Sequence, residues 1–360
     1  YTYATYFISF AVWTSAAYVV ITVIKKVHND CSVELIIRYL MAVCVMQCIL
    51  ALLFQSIPAL GIFFQTYTST LGAGASMGGD INETRLYGVG AALDIAGTRF
   101  GAVLVLIAAV LSMARQSKKW LYFYIISWMI IVVVGNMISR TTIIGAALSI
   151  FIVLVNPRFF YTSKETNKEI RKVFLRILII AIPLCTILYN TNDSFYKNMR
   201  FGFEGVFSLV DNGSWELYSN TKLGTMYVFP DNAKTWIIGD GYFEGQKADP
   251  YYTGRNWVFF YMGTDVGYLR FIFYFGLTGL AAFMLFFVIV CKNCIERFHK
   301  YRWVFVFLLA LNFIIWFKVS TDIYVVFAPF LCLSAKDNDE YERKQEDESE
   351  EEYADEYLTT

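Results

Sequence analysis

Long apolar runs, broken at intervals by short polar stretches, dominate the chain. Runs of roughly 17 to 25 apolar residues can cross the hydrocarbon of a bilayer as helices, because a helix satisfies its own backbone groups where water is absent. Tyr6 to Ile24, Leu35 to Ile57, Gly101 to Ala114, Trp120 to Ile138 and Val266 to Cys291 are clear runs of this kind. Val173 to Tyr189 joins them, with a kink expected at Pro183. Ile143 to Val155, Trp303 to Phe317 and Ile323 to Leu333 are shorter and read as tilted partners or partly re-entrant hairpins. The pattern predicts an all-α, polytopic membrane helical bundle of about nine spans.

Sidedness follows from where Lys and Arg collect in short loops, since basic residues are retained on the cytoplasmic face. Lys25 and Lys26, then Arg115, Lys118 and Lys119, then Arg158 to Lys172, then Lys292, Arg297, Lys300 and Arg302 fall on one side. The loops left outside are Ile57 to Arg99, a turn at Ser139 to Thr142, the long Asn190 to Thr264 segment, and Lys318 to Asp322. With about nine spans the first residue lies outside and the tail inside. At least one crossing, and a true N-terminus, are therefore expected to precede Tyr1.

Composition supports the same class. The chain has 360 residues, 57% hydrophobic, 18% aromatic and only 17% charged, where a soluble domain carries about 25% charge. Its mean hydropathy is +0.48. Thirty basic residues balance 30 acidic ones, yet the stretch from Lys336 to Thr360 is strongly acidic, so the rest is net basic. The organisation expected is a membrane domain over 1–334, a large periplasmic loop over 190–264 inserted in it, and a disordered acidic cytoplasmic tail over 335–360. No fixed-period repeat, phosphate-cradling P-loop or G-x-S-x-G elbow is present. Basic clusters that merely flank spans give no support for nucleic-acid binding. Cys291-x-x-Cys294 lacks a second ligand pair, so no metal is expected. The two histidines, His28 and His299, fall on the cytoplasmic side and cannot serve the outer face.

Arginines on the outer side go against the rule that orients the helices. Arg85 and Arg99 lie in or just after the first outer loop, Arg140 in a short turn, and Arg270 about one turn into the span after the long loop. A partly immersed arginine costs roughly 2.5 to 3.5 kcal/mol at a helix centre, which an anionic partner offsets. Guanidinium forks grip phosphate oxygens in a bidentate way at any working pH, so a set of them at the outer interface suits a lipid diphosphate. Snorkelling, or pairing with Asp80, Glu83, Asp94, Asp265 or Asp322, is the competing reading. The Gly-rich first loop also brings carboxylates, and a hydroxyl nucleophile needs a positioned base. Gly97-x-x-x-Gly101 fits close helix packing. The outer loop of about 75 residues is too long for a plain connection. Its aromatics, Trp215, Tyr227, Trp236, Tyr242 and Trp257 among them, suit either sugar stacking or interfacial anchoring, and Lys222 and Arg255 add charge.

Three stretches resemble the O-antigen and capsular polysaccharide polymerases, within the superfamily that also holds the O-antigen ligases. Gly135-Asn136-Met137-Ile138-Ser139-Arg140-Thr141-Thr142 is similar to that family's Ser-Arg-Thr turn. Ile237-Ile238-Gly239-Asp240-Gly241-Tyr242 is similar to its Gly-x-Gly element late in the periplasmic loop. Thr264-Asp265-Val266-Gly267-Tyr268-Leu269-Arg270, with Tyr274-Phe275-Gly276-Leu277-Thr278-Gly279, is similar to the re-entry segment of the next helix. The resemblance implies a C-type glycosyltransferase-like fold in a bacterial inner membrane and a metal-independent, cofactor-free, inverting transfer on the periplasmic face. In it a sugar hydroxyl of an incoming lipid-linked oligosaccharide repeat unit attacks the anomeric carbon of the growing chain, which leaves its undecaprenyl diphosphate carrier. It implies Arg140 as the leading catalytic cation, Asp265 and then Asp94 as general base, and Arg85, Arg99, Arg270, Lys222, Arg255 and Asp240 as substrate-binding residues. A chain-length regulator and a flippase are the implied protein partners. The ligase branch carries a histidine where this chain has Thr264-Asp265, which favours polymerase, and Lys222 stands where an arginine is common. A ligase, or a transporter of anionic lipid or glycan, is the alternative.

Overall fold

The computed structural model describes residues 2–67, 85–91, 93–113, 117–159, 164–245, 253–255, 257, 259–340 and 343. Asp80, Glu83 and the acidic tail at 341, 342 and 344–360 lie outside the described residues. Helices α1 (Thr2–His28), α2 (Val33–Ser56) and α3 (Pro58–Tyr67) open the chain. They are followed by α4 (Leu93–Met113), α5 (Lys118–Ile138), α6 (Thr142–Phe159) and α7 (Lys164–Thr191). The long segment after α7 contributes α8 (Asp193–Gly202), α9 (Glu204–Asn212), α10 (Tyr218–Gly224) and α11 (Ala233–Ile238). The chain re-enters as α12 (Gly267–Arg297) and ends in α13 (Arg302–Ile315) and α14 (Tyr324–Cys332). Among the described residues the fold is all-helical, with no strand beyond two isolated bridges.

Among the described residues six helices, α1, α2, α4, α5, α7 and α12, are long and apolar enough to cross a membrane. The three shorter apolar runs are also helical, over 18, 14 and 9 residues. At 1.5 Å per residue the last two extend about 21 and 14 Å, less than the ~30 Å hydrocarbon thickness. α4 is the central post: it is apolar all round from Phe100 to Leu111, and 89% of its apolar stretch is buried, against 6% for α7. A helix apolar on every side belongs in the middle of a bundle. The exposed isoleucines of α7 (Ile179, Ile180, Ile182, Ile187) face outward instead, and α7 remains one helix through Pro183.

Local chemistry fixes the joints. Asn29 turns the chain with φ of 59°, and Ser32 caps α2 by accepting from the Leu35 N–H at 3.1 Å. Gly101 meets Gly145 backbone to backbone where α4 crosses α6, so the Gly97–Gly101 spacing serves helix packing. The tail departs from expectation at its start. Residues 335–340 are helical, Asn338 is buried and accepts from the Val33 N–H at 3.1 Å, and Asp337 pairs with Lys25 at 2.8 Å. The start of α2 offers an uncapped N–H, and this segment supplies the acceptor.

Candidate functional site

Three helices begin at one end of the bundle: α4 with Asp94 in its first turn, α6 just after the turn Ser139–Arg140–Thr141, and α12 just after Asp265. Each such N-terminus carries about half a positive charge, which favours an anion. The Ser139 and Thr141 hydroxyls both donate to Oδ1 of Asp94, Ser139 at 3.3 Å. Lys318 Nζ donates to Thr141 Oγ1 at 2.9 Å and stands 4.0 Å from Asp94 Oδ1. Lys318 comes from the turn after α13. That turn is pressed against the start of α12: the Tyr268 N–H donates to the Trp316 carbonyl at 3.0 Å, and a Cβ on Gly267 would lie 2.8 Å from the same oxygen. Only glycine at 267 lets the two segments touch and brings Asp265 toward Lys318.

Arg140 pairs with Glu204 at the start of α9, and its guanidinium lies 4.4 Å from the centre of the Phe201 ring. Arg85 lies 4.6 Å from the centre of that same ring. The negative ring face attracts each cation and partly offsets their mutual repulsion. Phe201 is held there because Gly202 seats α8 on the end of α5, where a Cβ would be 3.0 Å from the Asn136 backbone. Arg85 is fixed by its neighbours: the Leu86 N–H donates to Met137 O at 3.2 Å, and Gln47 exchanges two hydrogen bonds with Val89.

Arg270 is buried and its terminal nitrogens are engaged by protein. They donate to Ser320 Oγ (2.9 Å), the Phe243 carbonyl (3.2 Å) and Glu244 (2.9 Å), and Asp265 is 3.6 Å away. The rings of Phe243 and Phe260 cover it at 3.8 and 4.4 Å. Arg270 thus organises the base of the long segment between α7 and α12 and orients Asp265. Nearby, Gly276 breaks α12 with φ of 67° and ψ of −175°. The break releases the carbonyls of Phe273 and Tyr274, which accept from the Asp240 and Gly241 N–H groups at 2.6 and 3.0 Å. Thr278 Oγ1 donates in turn to the Ile237 carbonyl at 2.7 Å. Asp240 accepts from Thr235 Oγ1 (2.7 Å) and Tyr261 (3.2 Å) and sits 3.5 Å from Lys234, so it braces this joint.

Electrostatics ties the cluster together. Burial pushes the Asp265 carboxyl up to about 7; Arg270 and Lys318 oppose that shift, while the negative fields of Asp94 and Glu244 add to it. Burial holds the Lys318 ammonium below its ordinary value, with Arg140 and Arg85 pushing the same way and Asp94 and Asp265 opposing. Arg140 and Arg85 are likewise lowered by burial and supported by Asp94. Backbone strain marks the same places: Leu93 beside Asp94 and Met262 ahead of Asp265 have φ of 51° and 55°.

Of the residues singled out in the sequence, Asp94, Arg85, Arg140 and Asp265 meet here. Arg270 adjoins them as a buried support, and Asp240 belongs to the loop joint. Arg99 does not join: it points to α1, 5.4 Å from the centre of the Trp13 ring. Five residues along a helix rotate a side chain by about 140°, which takes it off the Asp94 face. Lys222 is exposed on α10, and Arg255 is exposed with its guanidinium 4.6 Å from the Trp257 ring. Several loop aromatics have partners within the protein, since Trp215 covers Gly205, Tyr227 donates to the Phe317 carbonyl at 3.0 Å, and Trp236 stacks on Phe229, yet Trp215 and Tyr227 stay exposed. Sequence reasoning missed Lys318 and Glu204. Lys318, a lone cation between two short apolar runs on the outer side, carried the signal used for the arginines; nothing local marked Glu204.

The fold and cluster define an all-helical bundle whose long helices are apolar enough to cross a membrane, with partly buried carboxylates and cations gathered at one end. No family model, curated protein or solved structure matches the chain.

Proposed function

We propose that this protein is a membrane glycosyltransferase that polymerises lipid-linked oligosaccharide repeat units at the outer face of a bacterial inner membrane, within a bundle of about nine membrane-embedded helices in which α13 and α14 are shorter than a full crossing. The observation that carries the reading is the pairing of two unlike carboxylates with Arg85, Arg140 and Lys318 beside three helix N-termini. Asp94 is held by two hydroxyls and lies near an ammonium. Asp265, pushed up to about 7, is poised to take up a proton near neutrality.

In this reading an acceptor sugar hydroxyl attacks the anomeric carbon of the donor. The new C–O bond forms as the bond to undecaprenyl diphosphate breaks, and the hydroxyl proton passes to the Asp265 carboxylate. Charge building on the leaving diphosphate is received by Arg85, Arg140 and Lys318, whose positions are set in advance and need no solvent to reorganise. Arg99, on another face, has no part in it. Replacing Arg140 by Ala, and separately by Lys, abolishes long polymer at unchanged protein abundance; full-length polymer from both variants would refute the assignment. Reconstituted vesicles separate this from transport, since the glycan lengthens without substrate crossing the bilayer.

A further inference from the structure

About 25 Å along α4 from Asp94, at the opposite end of the helix, lies an apolar cavity between four helices. It measures about 180 Å³ and is lined by Ala108 and Leu111 of α4, Ile125 and Trp128 of α5, and residues of α6 and α7. We propose that it holds an acyl chain of an anionic diacyl phospholipid whose headgroup rests on Arg171 and Lys172.

The wall offers nothing to water. Its neutral polar side-chain groups satisfy each other: Ser149 Oγ accepts from Trp128 Nε1 at 2.9 Å and donates to the Ala146 carbonyl at 2.7 Å. A cavity of this character stays dry, and its volume matches about six water-sized groups of ~30 Å³. It is bordered by Ile150 and Leu154, both exposed on the outer side of α6. In a bilayer the material that reaches such a gap is an acyl chain, and filling it restores the dispersion contacts that an empty gap forfeits.

Charge selects the headgroup. Arg171 sits on the cavity rim, and Lys168 and Lys172 are exposed on the same stretch of α7. Lys118 and Lys119 are exposed at the same end of the bundle, at the start of α5. Basic residues around a cleft between spans favour anionic over zwitterionic lipid. Ile170 and Phe174 point into the cavity from the turns that present these cations, so one lipid engages both features. The inference needs only the bundle and holds whatever reaction the other end performs.

Trp128 is a built-in reporter. The full chain is placed in nanodiscs containing phosphatidylglycerol or phosphatidylcholine brominated on the acyl chains, and the Trp128 signal is taken as wild type minus Trp128→Phe. At equal mole fraction brominated phosphatidylglycerol is expected to quench that signal with at least tenfold greater apparent affinity. The double variant Arg171→Gln, Lys172→Gln, altered only at exposed positions, is expected to bring the preference below threefold. Equal quenching by the two lipids in the wild type would overturn the proposal, as would a preference that survives in the double variant. Displacement of brominated phosphatidylglycerol by an equal fraction of undecaprenyl phosphate would also overturn it, by assigning the cavity to a polyprenyl chain.

Discussion

Replacing Gly239 with alanine tests whether the joint between α11 and the broken α12 is held as described. Gly239 has φ of 75° and ψ of −178°, a region open to glycine alone, and an alanine Cβ would stand 2.5 Å from the Phe275 nitrogen and Tyr274 carbonyl carbon. Strain of this kind costs about 1–3 kcal/mol. The overlap is with backbone, so the segment must lift and surrender the hydrogen bonds from Asp240 to Phe273, Gly241 to Tyr274 and Thr278 to Ile237. At roughly 1 kcal/mol each those add about 3 kcal/mol, for a total near 4–6 kcal/mol. Gly213 is the matched control, with φ of 70° and nothing within 4 Å of its Cβ position; alanine there meets strain alone, about 1–2 kcal/mol. Gly224 has open space and an ordinary φ, so Gly224→Ala is neutral or slightly stabilising. Hydrogen exchange of the Asp240 and Gly241 amides, read by mass spectrometry on the protein in detergent, reports the opening. A loss of ~4 kcal/mol accelerates exchange roughly a thousandfold. Exchange in Gly239→Ala no faster than in Gly213→Ala would show that the two segments are not joined in this way.

On the proposed function, with Asp265 as base, polymerisation is expected to rise as pH passes through about 7, falling about tenfold per unit below that, and Asp265→Asn is expected to be inactive at every pH tested. The same group sets a stability slope. Its folded carboxyl lies above the unfolded value of about 3.9, so the folded chain binds the extra proton and stability falls as pH rises between the two values. Melting of Asp265→Asn lacks that slope; a wild-type melting point that rises from pH 5 to 7 contradicts the assignment. Lys318→Met removes the cation bonded to Thr141 and lowers the polymerisation rate about a hundredfold at unchanged abundance, as the loss of one fixed transition-state donor does; an unaltered in vitro rate removes Lys318 from the site. Gly145→Leu forces α4 and α6 apart and costs more than the ~1–3 kcal/mol of ordinary overpacking, which thermal melting in detergent detects as an unstable, poorly recovered protein.

Much of this architecture was legible along the chain. Apolar runs of sufficient length gave six long helices, because backbone self-satisfaction in lipid leaves an apolar stretch no other economical form. Arginines at apolar boundaries pointed to Arg85 and Arg140, because a charge there needs a reason that short-range sequence shows, and Asp265 came from the resemblance of its segment. Sequence alone could not tell that Arg270 spends its donors on Ser320, Phe243 and Glu244, or that Arg99 turns toward Trp13. Which groups meet depends on rotation about each helix and on contacts between residues far apart in the chain. Lys318 reaches Thr141 across 177 positions, and Asn198 donates to Gln55 across 143. Those meetings rest on packing, on glycines at 202 and 267 thin enough to let segments touch, and on a helix broken at Gly276 to accept a distant loop. Length and apolarity are local properties, so the sequence determined the helices; convergence of charge is a property of three dimensions, and only the tertiary structure decided it.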